Sequence, residues 1–595
     1  MSAQELITDH LDLWTSAVTH KSGTGRGNHG KIELTGIKKL RELILELAVR
    51  GKLVEQDPSD EPASVLLERV AEEKARLVKE GKIKKPRKLP EIDGDESHFP
   101  IPSSWAMARL GEIVEIVRGI TFPASEKSST PEGDRIACLR TSNVQDRIEW
   151  DDILYIRDSF VSKSSQYVRM HDIVMSMANS RELVGKVAII EKEPSEPTSF
   201  GGFLGVIRPI LLHPRFLMAV LRAPHARTAL IGGASQTTNI ANISIGKLNP
   251  FVVGVPPLDE QNRIVDKVDE LMALCDRLEL QVGDQREAHE VLVDTLLDAL
   301  IRSSDATELA ENWASVAEHF DTLFTTQASI DKLKQTILQV AVMGRLVKQN
   351  PDDEPASVLL ERLTEEKARI IKEGKLRKQK SMADISVRDT PFRIPKNWKW
   401  VAIDSVALVQ GGIQKQPKRV PVENYYPYLR VADVQRGELS NCHNLPLFEI
   451  FDEELEQYRL NGGDILIVEG NGSSDEIGRC AIWDSRIPNC VYQNHLIRVR
   501  PAIEGGSDFI ALFLNSPSGI AEMKRLAVTT SGLYNLSVGK IRNIKFPLPP
   551  LEEQHRIVEK VEELMALCDQ LKARLGEAGE TRAQLAETVV EQAVS

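Results

Sequence analysis

The sequence predicts an α/β (α+β) protein made by internal duplication. Two similar mixed α/β blocks are separated by long helices that form an antiparallel coiled coil, and a pseudo-twofold relates the halves. Three observations predict this. First, the 595-residue chain repeats at an offset of 293. The run KLRELILELAVRGKLVEQDPSDEPASVLLERVAEEKARLVKEGK from Lys39 returns as KLKQTILQVAVMGRLVKQNPDDEPASVLLERLTEEKARIIKEGK from Lys332. PPLDEQNRIVDKVDELMALCDRLE from Pro256 returns as PPLEEQHRIVEKVEELMALCDQLK from Pro549. Second, the stretches between these runs have drifted, and short β-rich apolar runs there alternate with Gly, Ser, Asn and Asp. Third, each Pro-Pro pair opens a run with apolar positions spaced by 4 and 3, a coiled-coil signal.

In chain order, residues 1–98 form an N-terminal helical region. Residues 1–21 read as a short helix, followed by a Gly-rich loop from Lys21. Thr35 to Val54 is helical by pattern, Asp57-Pro58 and Glu61-Pro62 break it, and Ala63 to Gly81 restarts it with Gly81 as a stop. Residues 99–255 are the first α/β block, opening on FPIPSSW at Phe99. Residues 256–391 are a central helical region, with further helices over 305–325 and 331–378. Its long helix places Ile264, Val268, Leu271, Cys275, Leu278, Val282, Leu292 and Leu296 on one seam. Residues 392–548 are the second block, opening on FRIPKNW, and residues 549–595 are a C-terminal coiled-coil helix. Its seam is Ile557, Val561, Leu564, Cys568, Leu571, Leu575, Leu585 and Val589. Within the blocks the offset slips to 290 at Leu139-Arg140 against Leu429-Arg430, and to 292 at Asp172-Ile173 against Asp464-Ile465. Insertions therefore fall in loops of a common fold.

Composition narrows the function. Apolar content of 42% supports sizeable cores. Apolar runs such as Phe251 to Val255 are far too short to span a bilayer, and the polar N-terminus does not read as a signal peptide. Six cysteines without a CxxC pair suggest neither zinc nor disulfides, and point to a reducing cytoplasm. Cys275 and Cys568 read as small core packers. The net charge is −12, but residues 100–255 hold 17 Lys+Arg against 15 Asp+Glu, and residues 393–548 hold 18 against 17. The acid lies on the repeated helices, so the blocks are free to meet nucleic acid.

Catalytic motifs are missing. Gly25-Arg-Gly27-Asn-His-Gly30 matches GxGxxG, but no strand precedes it, and Ile32 stands where a phosphate loop needs Ser or Thr after Lys31. The chain has no [DNS]PP[YF], GxSxG or HExxH. Across 595 residues that favours a recognition protein over an enzyme.

One resemblance covers nearly the whole chain. Pro547-Leu-Pro-Pro-Leu-Glu-Glu-Gln554 with Arg556-Ile557-Val558, and Val255-Pro-Pro-Leu-Asp-Glu-Gln261 with Arg263-Ile264-Val265, resemble the DNA-specificity subunit of type I restriction-modification systems. Ile394-Pro395…Trp398, Leu429-Arg-Val-Ala-Asp-Val-Gln435, Gly463-Asp464-Ile465-Leu466 and Gly470-Asn-Gly472…Gly478-Arg479 are similar too. The first block departs at Met177-Ala-Asn179-Ser180, where the second has Glu469-Gly-Asn471-Gly472.

The resemblance implies that each block is a target recognition domain reading one half of an asymmetric, bipartite site in double-stranded DNA. The helices would dock two modification subunits, which bring S-adenosylmethionine, and two restriction subunits, which use ATP and magnesium. This chain would bind no cofactor or metal and catalyse nothing. Base reading needs polar side chains near loops. In the first block the candidates are Arg118, Arg140, Asn143, Asn179, Arg181, Gln236, Thr237 and Asn239. In the second they are Gln410, Gln414, Lys415, Arg430, Gln435, Asn471, Ser473 and Tyr534. Arg140 and Arg430 recur in both halves, which favours a structural or phosphate role. The alternatives are a coiled-coil scaffold without DNA reading and a self-sufficient nuclease or methyltransferase.

Overall fold

The computed structural model describes residues 3–594 except 21–31, 87, 94–95, 97–98, 233–234, 238–239, 304–305, 373–389, 415, 417–418, 441, 472–475 and 531–532. The Gly-rich loop with its GxGxxG match lies outside the described residues. The chain divides into two compact units, one mainly of residues up to Asp284 with Gly579–Ser595, the other mainly of Gln285–Ala578.

The first unit opens with two short helices, Ala3–Thr8 and Leu11–Ser16, rather than one. Trp14 is fully buried, and Gly36 N–H donates to Ala17 O, so the chain folds back before a longer helix can form. The helix Thr35–Val49 ends five residues short of the sequence expectation. Gly51 follows at φ +67°, and a Cβ there would lie 2.4 Å from Pro102 Cγ. In the other unit Gln327–Val342 stops before Gly344, at φ +69°, with Pro395 Cγ 2.6 Å from the corresponding Cβ position. In each unit the opening proline of the block thus needs a glycine at the helix end. A second helix, Ala63–Lys79 or Ala356–Lys372, follows. Its Lys74 donates to the carbonyls of Gly111, Glu112 and Val114. Burial pushes Lys74 down to about 8.

Each block is closed by its own ends. Ala106–Arg109 pairs with Val252–Val255, and Lys399–Ala402 pairs with Lys545–Leu548. Between them lies an antiparallel four-stranded sheet. Its order in the first block is Val114–Arg118, Leu204–Pro209, Ile173–Ser176, Val187–Ile189. In the second it is Ala407–Gly411, Leu496–Pro501, Ile465–Val468, Cys480–Ile482. The inner strands IVMS and ILIV are buried along their whole length, which explains the apolar runs at residues 173–175 and 465–468. A bidentate ion pair anchors each sheet: Arg208 on Asp172 at 2.7 Å and Arg500 on Asp464 at 2.6 Å. A three-stranded sheet built on Arg135–Leu139 or Tyr425–Leu429 stands beside it.

The repeated motif at the start of each long helix secures the helix to its block. Glu260 is fully buried and accepts from Trp105 Nε1 at 2.9 Å and Gln56 Nε2 at 2.7 Å. Burial raises its pKa, and those donors oppose the shift. Gln261 bridges His213 N–H and Pro256 O, and Arg263 forks onto Asp60. In the second copy Glu553 accepts from Gln349, Gln554 donates to Pro549 O, and Arg556 forks onto Asp353.

The long helices run Leu258–Arg302 and Leu551–Val594. Ile264, Val268, Leu271 and Cys275 share the first unit's core with Ala586. Val293, Leu297 and Leu300 share the second unit's core with Ile557, Val561 and Cys568. The start of one helix thus lies with the end of the other in both units, an antiparallel pairing. Past Val282 and Leu575 the expected seam holds at Leu296 and Val589, which pack against the cores, and fails at Leu292 and Leu585. Leu292 and Leu585 are 50% and 52% exposed, while Val293 and Ala586 are buried. From Cys275 to Val293, and from Cys568 to Ala586, is 18 residues, about five turns at 3.6 residues each. The helix keeps its own period, so a heptad extrapolated across the polar steps drifts off the buried face.

Ion pairs mark the same exchange. In the first unit Lys39 reaches Glu587 and Arg41 reaches Asp276. In the second, Lys332 reaches Asp294 and Lys334 reaches Asp569, each 293 residues on or back. Such partly exposed pairs add little stability. The Lys39–Glu587 and Lys332–Asp294 pairs show that each unit is completed by the tail of the other copy's helix, while Arg41–Asp276 and Lys334–Asp569 join residues of one copy.

Candidate nucleic-acid interface

In each block three backbone segments meet edge to edge. In the first block they are the end of Val114–Arg118, the turn Gly201-Gly-Phe-Leu204, and the link from Ile173–Ser176 into the short strand Ala178–Asn179. Gly119 N–H donates to Leu204 O, Leu204 N–H to Gly201 O at 2.8 Å, and Met177 N–H to Phe203 O at 2.8 Å. The second block repeats the pattern at an offset of 292 to 293. Gly412 N–H donates to Leu496 O, Leu496 N–H to Gln493 O at 2.9 Å, and Glu469 N–H to His495 O at 2.9 Å. A Cβ on Gly119 or Gly412 would lie 2.1 Å from Gly201 O or 2.2 Å from Gln493 O, so the approach requires glycine in both.

A small antiparallel sheet extends the surface. In the first block it pairs Ala178–Asn179, Ile240–Asn242 and Ser235–Thr237. In the second it pairs Gly470–Asn471, Leu533–Asn535 and Val528–Thr530. This sheet brings together Asn179 with the backbones of Gln236 and Thr237 in one block, and Asn471 with Tyr534 in the other. Asn239, Lys415 and Ser473 lie outside the described residues.

The remaining candidates divide by what their side chains already hold. Arg118 and Arg181 are exposed, as is Gln414. Asn179 Oδ1 accepts from Ser180 N–H. Asn143 is 2% exposed, accepts from Arg140 N–H and donates to Glu149 O and Asp151 O, so it builds a turn instead of facing a ligand. Arg140 clasps Asp152 through its carbonyl and carboxylate, and Asp152 sits at φ +53°. Arg430 forks onto the buried Asp433. These two arginines hold equivalent turns, in line with the structural role their recurrence suggests. Gln410 accepts from the buried Arg498 at 2.6 Å, which commits its carbonyl oxygen inward. Gln435 accepts from Arg479 at 3.2 Å, and Gln145 accepts from Lys186 at 2.8 Å.

Two residues that sequence reasoning missed stand at the centre of this surface. Phe203 is 65% exposed, and His495 occupies the same turn position in the second block. Residues Gly-Gly-Phe-Leu against Gln-Asn-His-Leu share only the leucine, and the offset of 292 was the one signal that could have aligned them. His495 Nδ1 lies 3.5 Å from Glu469. Burial raises the Glu469 carboxyl and His495 works against that shift.

Among the described residues no cluster of three His, Cys, Asp or Glu could hold a metal ion, and no helix is long and apolar enough to cross a membrane. All six cysteines are buried. Burial pushes the thiols of Cys138 and Cys480 up to about 12 and that of Cys275 to about 11, which suits packing rather than nucleophilic chemistry.

Two modules with one backbone and different exposed side chains, each anchored to a helical frame, define a paired recognition protein. The profile of the type I restriction modification DNA specificity domain matches residues 102–285 and again 395–578. The chain belongs to this family. It is 37% identical to the type I restriction enzyme EcoAI specificity subunit and 36% identical to the EcoEI specificity subunit, both from Escherichia coli, over the full length of each pair. It also aligns with the crystal structure of the HsdS subunit from Thermoanaerobacter tengcongensis at 18% identity, covering 84% of this chain and 98% of that one, with a TM-score of 0.38.

Proposed function

We propose that this chain selects the DNA site of a type I restriction-modification complex and is itself non-catalytic. Each block reads one half of an asymmetric, bipartite site, with phosphate contacts setting register and base-edge contacts setting sequence. The helical regions dock two modification and two restriction subunits. S-adenosylmethionine, ATP and magnesium act on those subunits, in the cytoplasm. One observation carries this reading: the two blocks keep the same backbone at the meeting of strand end, turn and short strand, yet expose Phe203 on the turn in one and His495 in the other. A shared fold with divergent exposed side chains is what two readers of different half-sites require.

Exchanging residues 392–548 for the corresponding block of a relative tests it. The methylated sequence of the complex should change in one half only. A change in both halves, or in neither, contradicts modular reading.

A further inference from the structure

The pair Met177–Phe203 in the first block and its counterpart Glu469–His495 in the second differ in a coordinated way. The backbone bond between the two positions is the same, at 2.8 and 2.9 Å. In the first block both members are apolar, and Met177 is 7% exposed with its Cγ and Sδ 3.1 Å from the Cβ position of Gly205. In the second block both are ionisable, and the imidazole faces the carboxylate. A change from an apolar pair to a polar pair on one backbone alters what the surface binds while leaving the fold alone.

Phe203 is the member that reaches solvent. At 65% exposure on a tight turn, most of the phenyl ring stays open to solvent. The turn is rigid: Gly201 N–H donates to Leu139 O, Ile120 N–H to Phe200 O, and the turn closes from Leu204 to Gly201. The ring is therefore carried on a fixed platform, between the strand end bearing Arg118 and the small sheet bearing Asn179. Side chains that read bases need such preorganised support.

Resting on the DNA-reading function proposed above, we infer that this turn position determines specificity in both halves. Phe203 makes an apolar contact with a thymine methyl in one half-site. His495, its Nδ1 turned to Glu469, offers Nε2 to an exocyclic amino group of cytosine or adenine in the other. The two half-sites then differ at this position because one reader carries a ring without a hydrogen-bonding atom and the other a ring with one.

The test uses the full chain in complex with its modification subunits. Phe203→Ala, Phe203→His, His495→Ala and His495→Phe are each given S-adenosylmethionine and a DNA pool randomised through both half-sites, and the methylated products are sequenced. Both positions are exposed, so thermal melting should match the parent chain. Each substitution at 203 should change base preference roughly tenfold at one base pair of one half-site and leave the other half unchanged. Each substitution at 495 should do the same in the opposite half. A uniform loss of methylation with every base preference intact, or no change at all, overturns the assignment while the parent's split-site preference keeps the broader function standing. A parent complex with no sequence preference would remove both.

Discussion

At the scale of single residues, several polar side chains that look like readers in the sequence are fasteners in the fold. Asn143 is a base-reading type beside a turn, but its amide is committed to three backbone groups. Replacing it with alanine should cost about 1–3 kcal/mol of stability, because a buried donor and acceptors lose their partner, with no change in base preference. Chemical denaturation and methylation sequencing check the two halves of that statement. The glycines at helix ends behave likewise. Gly51→Ala and Gly344→Ala each place a Cβ against a proline ring at φ near +70°. Each should destabilise its unit by more than about 1 kcal/mol, read as a lower melting temperature. Recurrence in both halves points Arg140 and Arg430 to a structural or phosphate role, and their bonds to Asp152 and Asp433 supply the structural one. Phe203 and His495 were illegible because exposure, rather than residue type or spacing, singles them out.

At the scale of elements, the long helices show where pattern reading works and where it drifts. Pro-Pro followed by an apolar 4-3 spacing located both helix starts, since Pro before the first turn and a buried seam are local properties. Beyond the polar steps, Leu296 and Val589 pack against the cores, but Leu292 and Leu585 lie one residue off the buried Val293 and Ala586, because helical phase accumulates over 18 residues while a heptad does not track it. Leu297→Ala should therefore cost about 2–5 kcal/mol, whereas Leu292→Ala stays within about 0.5 kcal/mol. Denaturant titration of the two variants separates them. A second element-scale contrast is ionic. Asp404, on the short helix Ile403–Val406, faces Arg542 at 2.7 Å and Lys367 at 3.1 Å, while the first copy has Gly111 in place of Asp404, Asn249 in place of Arg542 and Lys74 in place of Lys367. Burial pushes the Asp404 carboxyl up, but Arg542 and Lys367 outweigh it and leave its pKa low. Its stabilisation is complete above the usual aspartate value and is lost as pH falls through the lowered one. Asp404→Asn should therefore be less stable than the parent at neutral pH, and the gap should close below about pH 4. Melting temperatures taken across that range test the sign.

At the scale of the whole molecule, duplication is more than repetition. Each copy's long helix ends in the unit built on the other copy, as Glu587 beside Lys39 and Asp294 beside Lys332 record. Removing residues 579–595 should expose the face of Thr35–Val49 that carries Lys39, the partner of Glu587, and hydrogen exchange should speed up there while the counterpart helix Gln327–Val342 keeps its protection. The offset of 293 showed the matched halves directly. The exchange of tails is the antiparallel pairing that the duplicated 4-3 seams predict, with Ala586 in the first unit's core and Val293 in the second's. Side chains that differ on one shared backbone, beside the nearly identical runs from Lys39 and Lys332 and from Pro256 and Pro549, are the physical basis for assigning recognition to the blocks.

That assignment is tested most directly by mapping methylated adenines across the genome of the cell that carries this gene, with the gene present and deleted. The account predicts that one asymmetric, split motif loses its methylation on deletion while its half-sites elsewhere are unaffected. Loss of no motif, or loss of a continuous or symmetric one, would contradict it.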